Sequence, residues 1–349
     1  MAANKGLGRD AYLEAYRRLG SKKAVARELG VHHSTVQEAL RNVDLKAEPA
    51  TEKLVAAGYQ INREDKTPAE AWAEHKAVVE RRVSKVLANR WPVIKRPKGA
   101  FVVAHFTDPH IDDDATPLHL LEADIRFSRD MGAVICLGGD IVNNWPMAGR
   151  LAKLWAEQAC TKADSLLRIE YLLDLMQPDV VTLGNHEEMN PYLADLIRRQ
   201  IPKRAVFGEW TANFVVQAAG GRPVRAILSH KFQKGSSYFH PHHGVLREGH
   251  EGEEADLYME GHLHIGGHMT RVLPERGHMF LAVASAGYKI VDKFATRISR
   301  GGTIPKVTGR AHWIVCDPEA DLAVPMCRAF EEPELAAAYL NGLQNLRAA

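Results

Sequence analysis

The feature that most constrains the fold of this 349-residue chain is the stretch from residue 101 to residue 144. It contains two short apolar runs, Phe101–Phe106 and 133–137, which have the length and composition of buried β-strands. Between them, residues 118–131 place apolar side chains at helical spacing. A strand, a helix and a second strand joined by short connections predict a parallel pair of strands.

Polar side chains follow both apolar runs, at the point where each strand is predicted to end. Asp108 and His110 come after the first run, and Asp140 comes after the second. The carboxyl ends of parallel strands lie at one edge of a sheet, where α/β proteins bind their ligands. Carboxylate and imidazole groups that meet there suit divalent ions such as manganese, zinc or iron(II). The sequence therefore predicts a divalent metal site at this edge.

An apolar strand followed by polar residues recurs three times further along the chain. The three later blocks are Gly184-Asn185-His186-Glu187, Ser229-His230 and Gly261-His262-Leu263-His264. Further strands are predicted at 213–217, 279–284, 288–291 and 312–316, and an amphipathic helix at 333–347. Because parallel βα units come first and antiparallel-looking strands follow, we expect two sheets packed face to face.

Five such blocks in this order, each at a strand end, make residues 101–316 resemble the calcineurin-like metallophosphoesterase family. The resemblance implies an α/β fold of two packed sheets, with βαβ units and mixed sheets flanked by helices. It also implies a metal-dependent enzyme that hydrolyses phosphoric esters. Two divalent ions would be its cofactors, with manganese expected and iron, zinc, cobalt or nickel as alternatives.

The resemblance also implies which side chains bind the two ions. The seven implied ligands are Asp108, His110, Asp140, Asn185, His230, His262 and His264. Asp108, His110 and His264 would hold one ion, and Asp140 would bridge both. The remaining three would hold the other ion. A water shared by the two ions would be the nucleophile, because both cations lower its pKa.

His186 would be a catalytic residue rather than a metal ligand by the same resemblance. It would protonate the departing alkoxide or stabilise the transition state as an imidazolium. We expect Glu187 or Glu188 to orient its ring through the other nitrogen, as carboxylates beside functional histidines do.

Several residues near these blocks are weaker candidates. The three aspartates at 112–114 are expected to form a solvated turn, because the family uses only the first Asp and His of this block. Asn143 stands where many relatives carry Asp, and Asn144-Trp145 stands where many phosphatases of the family carry Arg. The absence of that Arg weakens the prediction of phosphomonoester hydrolysis. No role in the site is expected for His250, His268 and His278.

Residues 10–42 split into three helical pieces, punctuated by Gly20 and Gly30. Ala26 lies four residues before Gly30, and apolar residues including Val36 follow it. A small residue where two helices cross, a turn glycine and an apolar anchor are what a helix-turn-helix requires. The segment resembles the helix-turn-helix of phage and bacterial regulators and recombinases. A small helical bundle that only packs on its neighbour is the alternative.

Docking of the third helix in the major groove would bring polar side chains to the bases, while basic side chains contact phosphates. The predicted DNA-binding residues are Lys22, Lys23, His33, Ser34, Thr35, Gln37 and Arg41. The recognition helix also carries Glu38 and few cations, so strong DNA affinity is not expected of a monomer.

Four segments are predicted along the chain. They are a helix-turn-helix domain at 1–45, a helical connector at 46–99, the metallophosphoesterase domain at 100–330 and a C-terminal helix at 331–349. In the connector, Pro68 begins a long helical run with Trp72, Val79 and Val83 at helical spacing. This amphipathic helix is expected to lie on the catalytic domain or to pair with a second copy in a homodimer. A solvated spacer is the alternative.

Composition limits the partners and the compartment. The net charge of +2 is too small to indicate a polyanion partner by itself, although Lys and Arg cluster in the first hundred residues. The four cysteines show no CxxC spacing, which argues against a zinc knuckle or a disulfide framework. No signal peptide or apolar run of membrane-spanning length occurs. We therefore expect a cytoplasmic protein without a membrane partner.

The first functional hypothesis is a dinuclear-metal nuclease or phosphodiesterase that acts on nucleic acid and is targeted to DNA by the helix-turn-helix. The second is a phosphomonoesterase or a small-nucleotide phosphodiesterase. The third is a DNA-binding regulator with a non-catalytic metal site, and the presence of all the ligand residues together with His186 counts against it. A helix-turn-helix joined to such an enzyme suits a phage or mobile-element origin.

Overall fold

A computed structural model describes residues 8–41, 67–88, 90–147, 149, 151–232, 242–290 and 309–348. By its internal contacts the chain divides into two units, residues 1–82 and 83–349. The helices of the described residues are α1 (Arg9–Leu19), α2 (Lys22–Glu28), α3 (His33–Ala39), α4 (Pro68–Ala88), α5 (Leu118–Asp130), α6 (Ala152–Glu157), α7 (Lys162–Met176), α8 (Asn185–Glu188), α9 (Pro191–Gln200), α10 (His243–Glu251) and α11 (Pro333–Ala348).

The strands of the described residues number twelve, and each is short. They are β1 (Val93–Arg96), β2 (Phe101–Phe106), β3 (Val134–Leu137), β4 (Val180–Thr182), β5 (Val206–Gly208), β6 (Thr211–Ala218), β7 (Val224–Ser229), β8 (Leu257–Glu260), β9 (Gly267–Leu273), β10 (His278–Ala284), β11 (His312–Cys316) and β12 (Cys327–Phe330).

The first unit contains the three short helices α1 to α3 around a small apolar core. Its buried side chains are Tyr12, Ala15, Val25, Ala26, Val36 and Leu40. Gly20 ends α1 with a φ of 66°, and Gly30 follows α2 with a φ of 64°. The three helices therefore form where the apolar spacing predicts them, and Val36 of α3 is fully buried.

Helix α4 begins at Pro68, as predicted from the sequence. The backbone N–H and the hydroxyl of Thr67 donate to the Glu70 carboxylate at 2.7 and 2.8 Å, which caps this end. Of the apolar side chains described on this helix, Trp72 is 75% exposed and Val83 is 51% exposed. This part of the amphipathic stripe is thus open to solvent.

Two six-stranded sheets form the scaffold of the described part of the second unit. The first has the order β12-β11-β2-β3-β4-β5 and the second the order β1-β6-β7-β8-β10-β9. In the first sheet β2, β3, β4 and β5 run parallel, whereas β11 pairs antiparallel with β2. The second sheet mixes the parallel pairs β7–β8 and β8–β10 with the antiparallel pairs β6–β7 and β9–β10. The predicted α/β fold of two mixed sheets flanked by helices is confirmed.

The core of the second unit lies in layers on both faces of each sheet. Between the sheets, Val103 and Cys136 of the first pack with Phe214 and Leu228 of the second. The outer face of the first sheet is covered by α5, α7, α9 and α11, and that of the second by α10. Both faces of the central strands are therefore shielded from solvent, which explains why their sequences are mostly apolar.

The strands that the sequence analysis did not predict are β1, β5, β9 and β12, which are the four edges of the two sheets. Side chains of β9 are mostly exposed, and those of β1 alternate between exposed and half-buried. An edge strand has one neighbour and more solvent than a central strand, so it does not need a continuous apolar run. Sequence pattern alone gives little signal for such strands.

The strand predicted at 288–291 is wrong in its described part, because residues 288–290 form a loop. The Tyr288 ring is buried and stacks on Phe106 with ring centres 6.2 Å apart. Its hydroxyl donates to the Asp124 carboxylate at 2.8 Å. Tyr288 gave the sequence the apolar pattern of a strand because its ring is buried in the core, although the residue lies in a loop. Val291 lies outside the described residues.

All four cysteines are buried and free, in agreement with the absence of a predicted disulfide framework. Among the described helices, none combines the length and the apolar character that crossing a bilayer requires.

We expect Leu173→Ala to lower the free energy of unfolding by about 2–5 kcal/mol, because it removes a buried side chain from the core under α7. Denaturant unfolding of the second unit measures the loss. Leu167→Ala on the same helix is the matched control, because Leu167 is 64% exposed. Equal effects of the two substitutions would contradict this core assignment.

Candidate metal centre

The predicted ligands lie at the carboxyl ends of five strands. Asp108 and His110 follow β2, Asp140 follows β3, Asn185 begins α8 after β4, His230 follows β7, and His262 and His264 follow β8. These strands belong to both sheets, so the site lies where the ends of the two sheets meet.

Backbone conformation turns many of these side chains toward one point. Seven non-glycine residues have a positive φ in the described parts of the chain. Five of them are predicted ligands: Asp108, His110, Asp140, His262 and His264. Residues with a Cβ rarely adopt this conformation, and such residues concentrate at functional sites. The backbone strain is therefore concentrated at the site.

The first group of ligands contains Asp108, His110 and His264. One potential ligand atom of each lies within 4.8 Å of the others. The Nε2 atom of His264 is 3.3 Å from Asp108 Oδ1 and 3.4 Å from His110 Nε2. Asp108 and His110 are buried, whereas His264 is half-buried. The group is therefore open to solvent on the His264 side.

The second group contains Asp140, His230 and His262, with Asn185 beside them. The Nε2 atom of His230 lies 3.3 Å from Asp140 Oδ2, 3.1 Å from Asn185 Oδ1 and 3.1 Å from His262 Nδ1. Asp140 also forms a group with His110 and with His186. Asp140 thus lies between the two groups, which is the position of a bridging ligand.

The donor atoms of this cluster fit divalent cations. Asp108 Oδ1 is buried without a hydrogen-bond partner, and imidazole nitrogen atoms lie close together, at 3.4 Å between His110 and His264 and at 3.1 Å between His230 and His262. Burial, followed by the charge of His230, lowers the pKa of His262 to about 4, so this ring has a lone pair to offer. A cation placed among such atoms would satisfy all of them.

The protonation of His230 shows how strongly the site favours positive charge. Burial lowers the pKa of His230, but the hydrogen bond and charge of Asp140 outweigh it and raise the pKa to about 9. The Nδ1 atom of His230 lies 2.8 Å from the Gly138 carbonyl oxygen, to which it can donate. That contact directs Nε2 toward the cluster, as in many metal-binding histidines.

Backbone groups and one hydroxyl hold Asp108 in place. The Thr107 hydroxyl donates to Asp108 Oδ2 at 2.5 Å, and the His262 N–H donates to the same oxygen at 2.8 Å. A Cβ at Gly261 would lie 2.3 Å from Asp108 Oδ2, so only glycine allows this approach. The ends of β2 and β8 are therefore joined directly through the Asp108 carboxylate.

The expectation that Glu187 or Glu188 orients the His186 ring is wrong for the buried Glu187. Its carboxylate accepts the backbone N–H groups of Gly184, Asp140 and Ile141, each at 2.8 Å. Burial, followed by the charge of Asp140, raises the pKa of Glu187 to about 7. Glu187 thus ties the loop after β3 to the start of α8, because three backbone donors satisfy it better than one ring. The ring partner of His186 is the Asn143 carbonyl oxygen, 2.5 Å from Nδ1.

His186 lies at the rim of the cluster. Its Nε2 atom is 3.8 Å from Asp140 Oδ2, and its ring meets the rings of His110 and Trp145 edge to face at 5.1 and 5.0 Å. Its backbone N–H donates to Asp140 Oδ1 at 3.0 Å. These contacts therefore fix the position and the orientation of the His186 ring.

The aspartates at 112–114 lie in a turn, as predicted, and Asp114 is exposed, but Asp112 and Asp113 are not solvated as predicted. Asp112 is buried and accepts the N–H groups of Asn143 and Asn144. Asp113 pairs with Lys289 at 2.8 Å, and the Lys289 ammonium also donates to Asn143 Oδ1 at 3.0 Å. The prediction failed for Asp112 and Asp113 because their carboxylates are satisfied by backbone donors and by a lysine distant in sequence. Lys289 lies in no motif and was missed for the same reason.

The predicted DNA-binding residues lie in the first unit, on α2, on α3 and just after α3. Lys23, Ser34, Gln37 and Arg41 are exposed, whereas Lys22, His33 and Thr35 are half-buried. The Ser34 hydroxyl lies 2.8 Å from His32 Nδ1, at the start of α3. None of these residues belongs to the cluster at the strand ends.

Comparison with protein families gives a match to the cluster-bearing part of the chain. Residues 101–266 match the model of the calcineurin-like phosphoesterase family. The chain is a metal-dependent phosphoesterase. This family normally binds two divalent metal ions, and the described residues of this phosphoesterase include clusters of His and Asp that could hold metal. The match begins at residue 101 and so does not include the helices of the first unit.

Solved structures similar to this phosphoesterase are distant. One is a conserved, predicted phosphoesterase from Streptococcus pneumoniae TIGR4, aligned over 66% of this chain and 97% of that one, at 12% identity and a TM-score of 0.27. Another is GAP50, the anchor in the inner membrane complex of Plasmodium, aligned over 70% and 95%, at 10% identity and a TM-score of 0.36. At these values neither structure informs the function of the chain. No curated protein matches the sequence significantly.

Proposed function

We propose that this phosphoesterase hydrolyses phosphodiesters of nucleic acid at a centre for two divalent cations. The observation that supports it most is the convergence of the predicted ligands into two groups with Asp140 between them. When bound, two such cations neutralise charge on the phosphate and lower the pKa of the attacking water. Manganese is the cation we propose, because a mixture of oxygen and imidazole donors suits it.

The proposal divides the ligands as their distances suggest. Asp108, His110 and His264 hold one cation, and Asp140 is shared. Asn185, His230 and His262 hold the other, and the Asn185 amide adds no negative charge. With two carboxylates among seven ligands, the loaded centre keeps a positive charge and attracts an anionic ester.

His186 is the proposed general acid. If Nδ1–H donates to the Asn143 carbonyl oxygen, Nε2 faces the cluster and can carry the second proton of an imidazolium. Transfer of that proton from Nε2 to the leaving oxygen prevents release of a free alkoxide. Trp145 on the other side of the ring restricts its motion and limits access of water.

The surroundings of His186 favour a diester over a monoester. A monoester dianion needs more positive charge beside the metals than a diester monoanion does. Asn144 and Trp145 stand on this side of the site, and the charge of the nearby Lys289 is paired with Asp113. Among the described residues, few unpaired cationic side chains are thus found on this side of the site, as suits a singly charged ester.

DNA is the proposed macromolecular substrate because of the first unit. Three short helices around a small apolar core support this proposal, because a helix-turn-helix needs such an arrangement. Lys23 and Arg27 of α2 and Gln37 and Arg41 at α3 are exposed. Basic side chains there would contact phosphates, and Gln37 would reach base edges.

We expect His186→Ala to lower turnover of a diester by about 10²–10⁴-fold while the metal content stays the same, because the residue donates a proton without binding the cations. Hydrolysis of bis-nitrophenyl phosphate and metal analysis of the purified protein measure the two quantities. His119→Ala, at an exposed position of α5, is the matched control. Unchanged turnover in His186→Ala would remove the assigned role.

The substrate class is tested with the manganese-loaded chain and four substrates: single-stranded DNA, double-stranded DNA, bis-nitrophenyl phosphate and the nitrophenyl monoester. We expect at least one of the two DNA substrates to be cleaved. We also expect the diester to be hydrolysed at least about ten-fold faster than the monoester, which corresponds to a difference of about 1.4 kcal/mol in the activation barrier. Cleavage of the monoester alone would refute the proposal. Diester hydrolysis without DNA cleavage would point to a small-nucleotide substrate instead.

We expect Lys23→Ala combined with Arg27→Ala to weaken DNA binding and to make its salt dependence shallower by about two phosphate contacts. Binding titrations at several salt concentrations measure both effects. The double variant Arg199→Ala with Lys203→Ala has the same spacing and exposure in the second unit and serves as control. Identical salt slopes for the two double variants would exclude the first unit as a DNA-binding element.

A further inference from the structure

A second cluster of metal-binding side chains lies outside the centre described above. One ligand atom each of His268, His312 and Glu331 lies within 4.8 Å of the others. His268 is on β9, the edge strand of the second sheet. His312 begins β11 and Glu331 follows β12, both of the first sheet. The cluster therefore joins the two sheets and shares no residue with the dinuclear centre.

His312 has the environment of a metal ligand. Its side chain is 98% buried, and its Nε2 atom has no hydrogen-bond partner. That atom lies 3.7 Å from Glu331 Oε1, too far for a hydrogen bond but suitable for two ligands of one ion. Burial, followed by the charges of His105 and His268, lowers the pKa of His312 to about 3, so the ring is neutral.

The other nitrogen of His312 is held by a relay of hydrogen bonds. The Ser285 hydroxyl lies 2.9 Å from His312 Nδ1 and 2.9 Å from His105 Nδ1. Because the hydroxyl has a single proton, it donates to one ring and accepts from the other. When it donates to His105, His312 Nδ1–H donates to Ser285 and the Nε2 lone pair faces the cluster. Metal-binding histidines are held in this way through their second nitrogen.

The other two members give a cation access from solvent. The His268 ring is exposed and meets the His312 ring edge to face at 5.8 Å. The Glu331 side chain is 65% exposed. One buried and one exposed imidazole with a carboxylate leave a fourth position for water.

We propose that His268, His312 and Glu331 form a third cation site, for a single ion of the zinc class, which fastens the edge of one sheet to the other. Two nitrogens and one carboxylate oxygen are a donor set that zinc uses when three protein ligands leave one position open. The site does not depend on the proposed phosphodiesterase function. It also gives a role to His268, for which sequence analysis expected none in the dinuclear centre.

The test counts zinc ions per chain after equilibration and desalting, by native mass spectrometry. We expect His268→Ala and Glu331→Gln each to bind one zinc ion fewer than the unmodified chain. His119→Ala, with an exposed histidine outside both clusters, should bind as many as the unmodified chain. Equal counts and equal affinities in all four proteins would overturn the proposal.

Two further measurements separate this site from the dinuclear centre and from loss of fold. Hydrolysis of bis-nitrophenyl phosphate should be the same in His268→Ala and the unmodified chain, because His268 is in neither group of the dinuclear centre. The zinc-dependent rise in Tm should be smaller in His268→Ala, since an ion that binds only the folded chain stabilises it. An unchanged rise would count against the site. The test does not require a full dinuclear centre. Even if that centre binds less zinc than expected, the unmodified chain should still bind one zinc ion more than His268→Ala.

Discussion

The candidate metal centre depends on five predicted ligands whose backbone adopts an unfavourable conformation. Asp108, His110, Asp140, His262 and His264 have positive φ angles, where a Cβ crowds the backbone. Each such residue costs of the order of 1–3 kcal/mol unless its surroundings compensate. The compensation comes from the strands behind it, whose side chains are buried between the sheets and under the helices. Hydrogen bonds at the loops add to it, since Glu187 and Asp108 each accept backbone N–H groups from another loop. Rigid strands and strained loop starts together bring ligands from both sheets to one place.

The sequence predicted the central strands well and the edge strands poorly, for a physical reason. Strands such as β2 and β3 are buried on both faces, so nearly all of their positions are apolar, with His105 of β2 as an exception. The edge strands β1 and β9 have exposed positions and a single neighbour, and their residues resemble those of loops. The opposite error occurred at Tyr288, which was predicted to lie in a strand but lies in a loop. Its ring packs in the core, so the sequence there is as apolar as that of a strand.

At the site, residues that follow a strand could be predicted and residues that come from elsewhere could not. The seven predicted ligands follow from blocks that end apolar runs and from the family resemblance of those blocks, and the structure brings the seven side chains together. The role of Glu187 could not be read from its position, since its partners at Asp140 and Ile141 are supplied by another loop. Lys289 pairs with Asp113 across a large sequence separation and belongs to no motif. The sequence pattern indicates which residues of a strand are buried. It does not indicate the contacts of Glu187 and Lys289, because these contacts depend on how the two sheets meet.

The raised pKa of His230 has a consequence for how the centre is filled. At neutral pH this buried ring holds a proton that Asp140 stabilises, and a cation can take its place only when the proton leaves. Loading is therefore an exchange of hydrogen ions for metal, and acid competes with the metal for the same nitrogen. In the proposed centre, affinity for the cation would therefore fall as the pH falls below the pKa of His230.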